Sequence, residues 1–296
     1  MKPVRPSTLP PKWRQWLKNV LPTASPEKVC ETLVNEGFTA QQIISAMGKN
    51  FPEHIKLPDD DKFYLQHATP AVLKNPNCKS ICSDLPIYSI DNVFSQSECR
   101  KIVDLTSGML TPSKIMVPQE KDYQDYRTSR TCYLHQTKDP FIDSIEDRIW
   151  GLVSPQRGGG ETIQAQHYSA GEYYKPHHDF FAPGTESFKR SGREGGQRTW
   201  TCMIYITCPE KGGATHFLEP DLLVEPVPGK AILWNNLHTD GTPNYALRHQ
   251  ALPVEKGEKL VLTKWFRTRK HHQNQRISNK GKRTTKPVAH FLKKLV

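Results

Sequence analysis

The chain has 296 residues, with 41 Lys+Arg against 30 Asp+Glu and a formal charge of +11. That length can bury a sizeable core in one large domain or two modest ones. At 36% hydrophobic it is too apolar for a wholly disordered chain and too polar for a membrane protein, and no run of about 18 apolar residues offers a transmembrane helix.

The charge is unevenly placed. Residues 267–296 hold ten Lys or Arg and no Asp or Glu, while the other 266 residues hold 31 basic and 30 acidic side chains. The body is therefore near neutral and the basic character belongs to the tail. The opening Met1-Lys2-Pro3-Val4-Arg5-Pro6 leads into Pro-rich, charged sequence without an apolar signal core, so a cytoplasmic chain is expected. The seven cysteines (Cys30, Cys78, Cys82, Cys99, Cys132, Cys202, Cys208) are scattered and odd in number, which suits free thiols in a reducing compartment. Cys78-x3-Cys82 lacks two further ligands at zinc spacing.

In chain order, residues 10–48 predict three short helices. Trp13, Trp16, Leu17, Val20 and Leu21 fall on one face of the first. Ser25-Pro26-Glu27 starts the second, and Thr39-x-x-Gln42 starts the third, closed by Gly48. Residues 51–84, rich in Pro, Lys and Asp, read as a connector. Ile87–Ile90 predicts a strand, Ser95-x-x-Glu98 caps a helix carrying Ile102 and Val103, and 141–153 predicts a second helix with Ile142, Ile145, Ile149 and Val153 on one face. From Glu161 short strands dominate, at 162–168, 199–207, 214–219, 222–226, 230–235, 247–252 and 259–267. In 199–207, Trp200, Cys202, Ile204 and Ile206 alternate with Thr201, Met203 and Tyr205. Helices followed by many short antiparallel strands predict an α+β fold with a jelly-roll or barrel core.

The richest chemistry lies in Tyr168-Ser-Ala-Gly-Glu-Tyr-Tyr-Lys-Pro-His177-His178-Asp179. On a strand, His177 and Asp179 share a face. They are two parts of a 2-His-1-carboxylate set, the donor set of non-haem Fe(II) sites. His238-x-Asp240 repeats the spacing, so the dipeptide pattern is weak by itself. The second histidine of such a set must come several strands later. His249 lies 70 residues after Asp179 but only nine after Asp240, which favours the first copy. Lys259 opens an apolar strand, Leu260-Val261-Leu262-Thr263-Lys264-Trp265. A lysine turned into a barrel needs an anion, and a dicarboxylate would supply one; a solvated place at the strand mouth is the other reading.

Taken together, residues 85–267 resemble the catalytic domain of the prolyl 4-hydroxylases, a family of Fe(II)/2-oxoglutarate-dependent dioxygenases. The resemblance is carried in order by Ile90-Asp91-Asn92-Val93-Phe94-Ser95-x-x-Glu98-Cys99, Arg127-Thr128-Ser129, Tyr168-x-x-Gly171-x-x-Tyr174-x-Pro176-His177-x-Asp179, Gly195-Gly196-Gln197-Arg198-Thr199-Trp200-Thr201, Gly212-Gly213-x-Thr215-x-Phe217, Arg248-His249-x-x-x-Pro253 and Gly257-x-Lys259, closing at Trp265-Phe266-Arg267. Two departures stand out: Leu260 where the family commonly has Trp, and Ala214 where it commonly has Glu. The resemblance implies a double-stranded β-helix flanked by helices. His177, Asp179 and His249 would be iron ligands, Lys259 and Tyr168 would meet 2-oxoglutarate, and Thr201 and Trp265 would line its pocket. It also implies O2 as co-substrate, ascorbate to restore oxidised iron, succinate and CO2 as products, and prolyl residues of a protein or peptide as the target.

The expected organisation is a helical module at 1–50, the connector at 51–84, the dioxygenase domain at 85–267 and a basic tail at 268–296. Other readings stay open. The same chemistry can act on lysyl, arginyl or small-molecule targets, and the barrel can serve as a non-enzymatic binding module. The loop 180–194, with Lys189, Arg190 and Arg193, and the stretch 119–127, with Tyr123 and Tyr126, are expected to shape substrate choice. The tail is either a solvated appendage or a weak, salt-sensitive nucleic-acid contact. No membrane partner is expected, and the oligomeric state is not legible in the sequence.

Overall fold

The computed structural model describes residues 9, 11–35, 38, 40–55, 57, 75–113, 126–153, 159–183, 185, 187–188, 195–238 and 241–268. The cap at Thr39, Tyr123, the basic residues of the 180–194 loop, Asp240 and the tail after Thr268 lie outside the described residues.

Helices α1 (Pro11–Val20), α2 (Pro26–Asn35) and α3 (Ala40–Met47) fall where the apolar spacing predicts. Their inward residues, among them Leu17, Val29, Leu33, Ile43 and Met47, close around Leu9 and Phe38. The Trp13 ring meets Trp16 and Phe38 edge-on at 5.2 Å each. Ser25 Oγ accepts the Lys28 N–H at the start of α2. Gly48 follows α3 at φ +51, the left-handed residue that commonly ends a helix.

Within the span read as a connector, Cys78–Ser80 forms β1, paired antiparallel with β2 (Ile87–Ile90). Its polar, exposed residues give no apolar alternation from which to read a strand. Helix α4 (Gln96–Ser107) carries the expected capping box of Ser95 and Glu98. Two short strands, β3 (Thr111–Pro112) and β4 (Arg130–Tyr133), precede helix α5 (Pro140–Val153) and β5 (Gly159–Gly160). The barrel strands are β6 (Gln164–Tyr168), β7 (Tyr174–His177), β8 (Arg198–Tyr205), β10 (Thr215–Phe217), β11 (Leu222–Val224), β12 (Ala231–Asn235), β13 (His249–Ala251) and β15 (Lys259–Arg267). A small ribbon pairs β9 (Lys211–Gly212) with β14 (Val254–Lys256).

The larger sheet runs β1-β2-β12-β8-β15-β6-β4-β3, with β5 on the end of β15, and the smaller runs β11-β10-β13-β7. From β6 onward the chain passes back and forth between them: β6 large, β7 small, β8 large, β10 and β11 small, β12 large, β13 small, β15 large. This alternation is a double-stranded β-helix, set in an α+β chain.

The larger sheet has two apolar faces. Outward, Trp200, Cys202, Ile204, Leu260, Leu262 and Phe266 pack with Ile102 of α4 and Ile145, Ile149 and Trp150 of α5. Inward, Met203, Tyr205, Ile232, Trp234 and Val261 meet Phe217 and Val254. Fully burying each large side chain contributes about 1.5–3 kcal/mol, so both faces hold the sheet. Leu260 faces the helices, so the change from the family's usual tryptophan falls on helix packing. Gly229 makes the tight turn before β12. Its φ is +81, its carbonyl accepts the Val93 N–H at 2.8 Å, and a Cβ there would lie 2.2 Å from the Phe94 carbonyl oxygen.

Candidate active site

His177 ends β7 and is paired across the smaller sheet with His249, the first residue of β13. The strand expected to run through Asp179 stops at His177. Asp179 instead reaches the same point from the turn that follows. Their ligand atoms all lie within 4.8 Å of one another, and this is the one such group of three among the described residues. Asp179 Oδ1 is 3.8 Å from His177 Nε2, and Oδ2 is 3.9 Å from His249 Nε2.

Each imidazole is turned by its own backbone. His177 Nδ1 lies 2.8 Å from the Lys175 carbonyl and His249 Nδ1 2.9 Å from the Leu247 carbonyl. A carbonyl only accepts, so each Nδ1 carries a proton and Nε2 is the nitrogen turned inward. Tyr174 stacks on His177 at 3.7 Å, and Trp234 packs on His249 at 4.9 Å. Burial, helped by the neighbouring His249, pushes the His177 pKa down to about 3, so the ring is neutral at physiological pH. For Asp179, burial opposes the charge, but His249, His177, Arg198 and the Thr201 hydrogen bond outweigh it and hold the carboxyl below its usual range. Two imidazoles that turn Nε2 inward and a carboxylate, converging on one point, fit a divalent iron ion and leave room for further ligands.

Asp179 is held from behind. Thr201 on β8 donates its hydroxyl to Oδ2 at 2.7 Å, and Asn236 donates its amide to the Thr201 oxygen at 2.8 Å. Arg198 Nη1 donates to the Asp179 carbonyl at 3.2 Å while its other nitrogens grip Glu161 at 2.7 Å each. Arg267 reaches the same carboxylate at 2.6 Å. The two guanidinium groups hold the Glu161 pKa at about 2, against the pull of burial. Trp265 lies opposite Thr201 on the neighbouring strand, and its ring carries the Arg198 guanidinium at 4.1 Å. Thr201 thus touches an expected ligand, and Trp265 touches the arginine behind it. Asn236 and Glu161 were not legible as site residues. Each is a single polar residue in a sequence rich in them, and its partners lie tens of positions away.

Lys259 and Tyr168 face each other across β15 and β6. Lys259 is 1% exposed. Its Nζ lies 4.6 Å over the Tyr168 ring and donates to the Gly213 carbonyl at 2.6 Å, and no carboxylate among the described residues pairs with it. Burial lowers its pKa to about 8. Lys264, five residues on and facing the helices, is equally buried but is neutralised by Glu146 of α5. One strand therefore carries two buried lysines, and only the one inside the barrel lacks a counter-charge. Lys259 is not at a solvated strand mouth.

Beside Tyr168, Gln164 and Gln166 also point into the barrel. The Tyr168 hydroxyl donates to Gln166 Oε1 at 3.2 Å, Gln166 Nε2 donates to Gln164 Oε1 at 2.9 Å, and Arg127 Nη2 donates to the same Gln164 oxygen at 3.2 Å. Gln164, Gln166 and Tyr168 stand at period two on β6, a spacing that was available in the sequence.

Residues 163–267 match the family model described as 2OG-Fe(II) oxygenase superfamily. This stretch of the chain is thus that of a 2OG-Fe(II) oxygenase domain. The chain is similar to prolyl 4-hydroxylase subunit alpha-3 of Mus musculus, at 30% identity over 218 residues, covering 73% of this chain and 40% of that one. It is similar to prolyl 4-hydroxylase subunit alpha-1 of Homo sapiens, at 32% over 186 residues, covering 62% and 34%. The chain thus spans about two-fifths or less of the length of these relatives. A solved viral collagen prolyl hydroxylase from Paramecium Bursaria Chlorella virus-1 matches 64% of this chain and 99% of its own at 22% identity and a TM-score of 0.49.

Proposed function

We propose that this oxygenase is an Fe(II)- and 2-oxoglutarate-dependent dioxygenase that hydroxylates prolyl residues, at the 4-position, in a protein or peptide. The observation that carries the reading is the convergence of His177, Asp179 and His249 inside a barrel that also holds Lys259, a buried cation without an anion. Iron, when bound, supplies the oxidative chemistry with O2 and 2-oxoglutarate, yielding succinate and CO2 as the target carbon gains a hydroxyl. The resemblance of the relatives to this chain supports proline as the target.

The protein's own part is geometric and electrostatic. The Lys175 and Leu247 carbonyls hold the imidazole tautomers, and Thr201 with Asn236 holds the Asp179 carboxylate. Lys259, with Tyr168 beside it, would pair the distal carboxylate of 2-oxoglutarate, which would give the cation its counter-charge. Thr201 and Trp265 flank that pocket. Tyr174, stacked on His177, and Tyr126, whose hydroxyl donates to the Pro176 carbonyl, keep solvent from one side of the ligands. Ascorbate would serve as the reductant for iron held by His177, Asp179 and His249. We assign this chemistry to residues 85–267, with β1 as part of the same sheet. The roles of the helical module and the basic tail are not needed for it.

The test is mass spectrometry of prolyl peptides and lysate proteins incubated with the protein, iron and 2-oxoglutarate. One added oxygen on proline is expected, lost in His177→Ala and His249→Ala. Oxygen on lysine or arginine would move the target while keeping the chemistry. No succinate from any protein or peptide substrate would overturn the reading.

A further inference from the structure

We propose that Gln166 competes with 2-oxoglutarate for the Tyr168 hydroxyl and so weakens co-substrate binding. This deepens the reading above and rests on it, because Tyr168 and Lys259 are there assigned to the distal carboxylate.

The argument is a count of protons. Arg127 can only donate, so the Gln164 side chain must turn its oxygen toward it. The same oxygen receives Gln166 Nε2, which fixes the orientation of the second amide as well. Gln166 is left with its oxygen facing the Tyr168 hydroxyl, and the hydroxyl donates its single proton there. Arg127 is anchored in turn by donating Nε to Ser129 Oγ at 2.9 Å. The donations therefore converge on the Gln164 oxygen, from Arg127 on one side and from Tyr168 through Gln166 on the other, and Arg127, which cannot accept, fixes the sense of both amides. Gln164, Gln166 and Tyr168 are all buried, so no bulk water stands ready to replace a lost partner.

A carboxylate has only acceptor oxygens. It can use the Tyr168 hydroxyl only by taking the proton away from Gln166. Doing so leaves Gln166 Oε1 without a donor inside the barrel, which is unfavourable. Lys259 has no such conflict, since its ammonium has donors beyond the one given to Gly213. Gln166 thus sets the affinity for 2-oxoglutarate below what the lysine and tyrosine alone would give. It acts through Tyr168 and is a positioning residue.

The test is calorimetric titration of 2-oxoglutarate into the full-length protein loaded with Mn(II), which needs no turnover. Gln166→Leu and the more nearly isosteric Gln166→Met remove the competing acceptor, and each is expected to bind 2-oxoglutarate about three- to tenfold more tightly than wild type. General damage to the barrel would move affinity the other way. In a Tyr168→Phe background the same substitutions are expected to change nothing, because the contested proton is gone. If Gln166→Leu loses its cooperative melt, Gln166→Met carries the comparison. Wild-type protein that binds 2-oxoglutarate while both variants bind it equally or more weakly would overturn the inference alone. Wild-type protein that does not bind 2-oxoglutarate would overturn the site reading and the inference with it.

Discussion

Lys259→Met should make the protein more stable and at the same time unable to hold 2-oxoglutarate well. The lysine is buried, and its ammonium has one hydrogen bond, to Gly213, and the face of one aromatic ring. Burial lowers its pKa from 10.5 to about 8, a gap worth about 3 kcal/mol. Because the folded-state pKa lies below the unfolded one, the unfolded chain holds the extra proton between about pH 8 and 10, and stability rises with pH through that window. At pH 7 the penalty is fully present. Methionine removes it but leaves the Gly213 carbonyl without its donor, which costs about 1 kcal/mol. The net expectation is about 2 kcal/mol of added stability at pH 7 in urea unfolding, shrinking toward zero by pH 10. Affinity for 2-oxoglutarate should fall at least about tenfold, while Mn(II) affinity is unchanged. A variant less stable than wild type at pH 7, or one whose gain does not depend on pH, would refute the view that Lys259 is kept charged in the barrel at a cost to folding.

Three further outcomes follow from named contacts. Thr201→Val removes the hydroxyl that Asp179 accepts from and strands the Asn236 amide. Mn(II) affinity, read by calorimetry, should drop about 10- to 100-fold, and Thr201→Ser should restore most of it. Glu161→Gln leaves two guanidinium groups facing a neutral amide, and denaturant unfolding should show a loss of about 3–5 kcal/mol. Because the Glu161 folded pKa is lowered to about 2, its contribution in the wild type is present above about pH 4.5 and is lost as pH falls toward 2, so the gap between variant and wild type should close on acidification. Gly229→Ala must place a methyl 2.2 Å from the Phe94 carbonyl at a φ of +81. A loss of about 2–4 kcal/mol is expected, and a loss under about 0.5 kcal/mol in the same unfolding assay would show that the turn can relax.

What was legible in the sequence is what local periodicity controls. The alternation of Trp200, Cys202 and Ile204 with Thr201, Met203 and Tyr205 separates the helix-facing side of β8 from the barrel interior. Helices α4 and α5 follow their caps and apolar spacing. The strands β1, β3 and β4 were missed because they are two to four residues long and largely polar; they exist because a sheet edge is there to receive them. In the site, His177, Asp179 and His249 could be singled out by spacing and by the number of strands between them. Thr201, Glu161 and Asn236 could not be given their roles, since a hydrogen bond to Asp179 across 22 residues or an ion pair across 37 leaves no periodic trace. Glu161 was read only as the point where strands begin.

The same alternation explains why the fold and the site do not compete for residues. On β15, Leu260, Leu262 and Phe266 supply the helix-facing core while Lys259, Val261, Thr263 and Trp265 face inward. A shift of one residue in the pairing of β15 with β6 and β8 would drive Lys259 against the helices and bring Lys264 into the barrel, away from Glu146. Lys264 would then be buried without its carboxylate, at a cost of several kcal/mol. The carboxylate of Glu146 outside thus guards the register that leaves Lys259 unpaired inside. An uncompensated cation at the centre of the barrel is stable in place because the strand that carries it is locked from the opposite face.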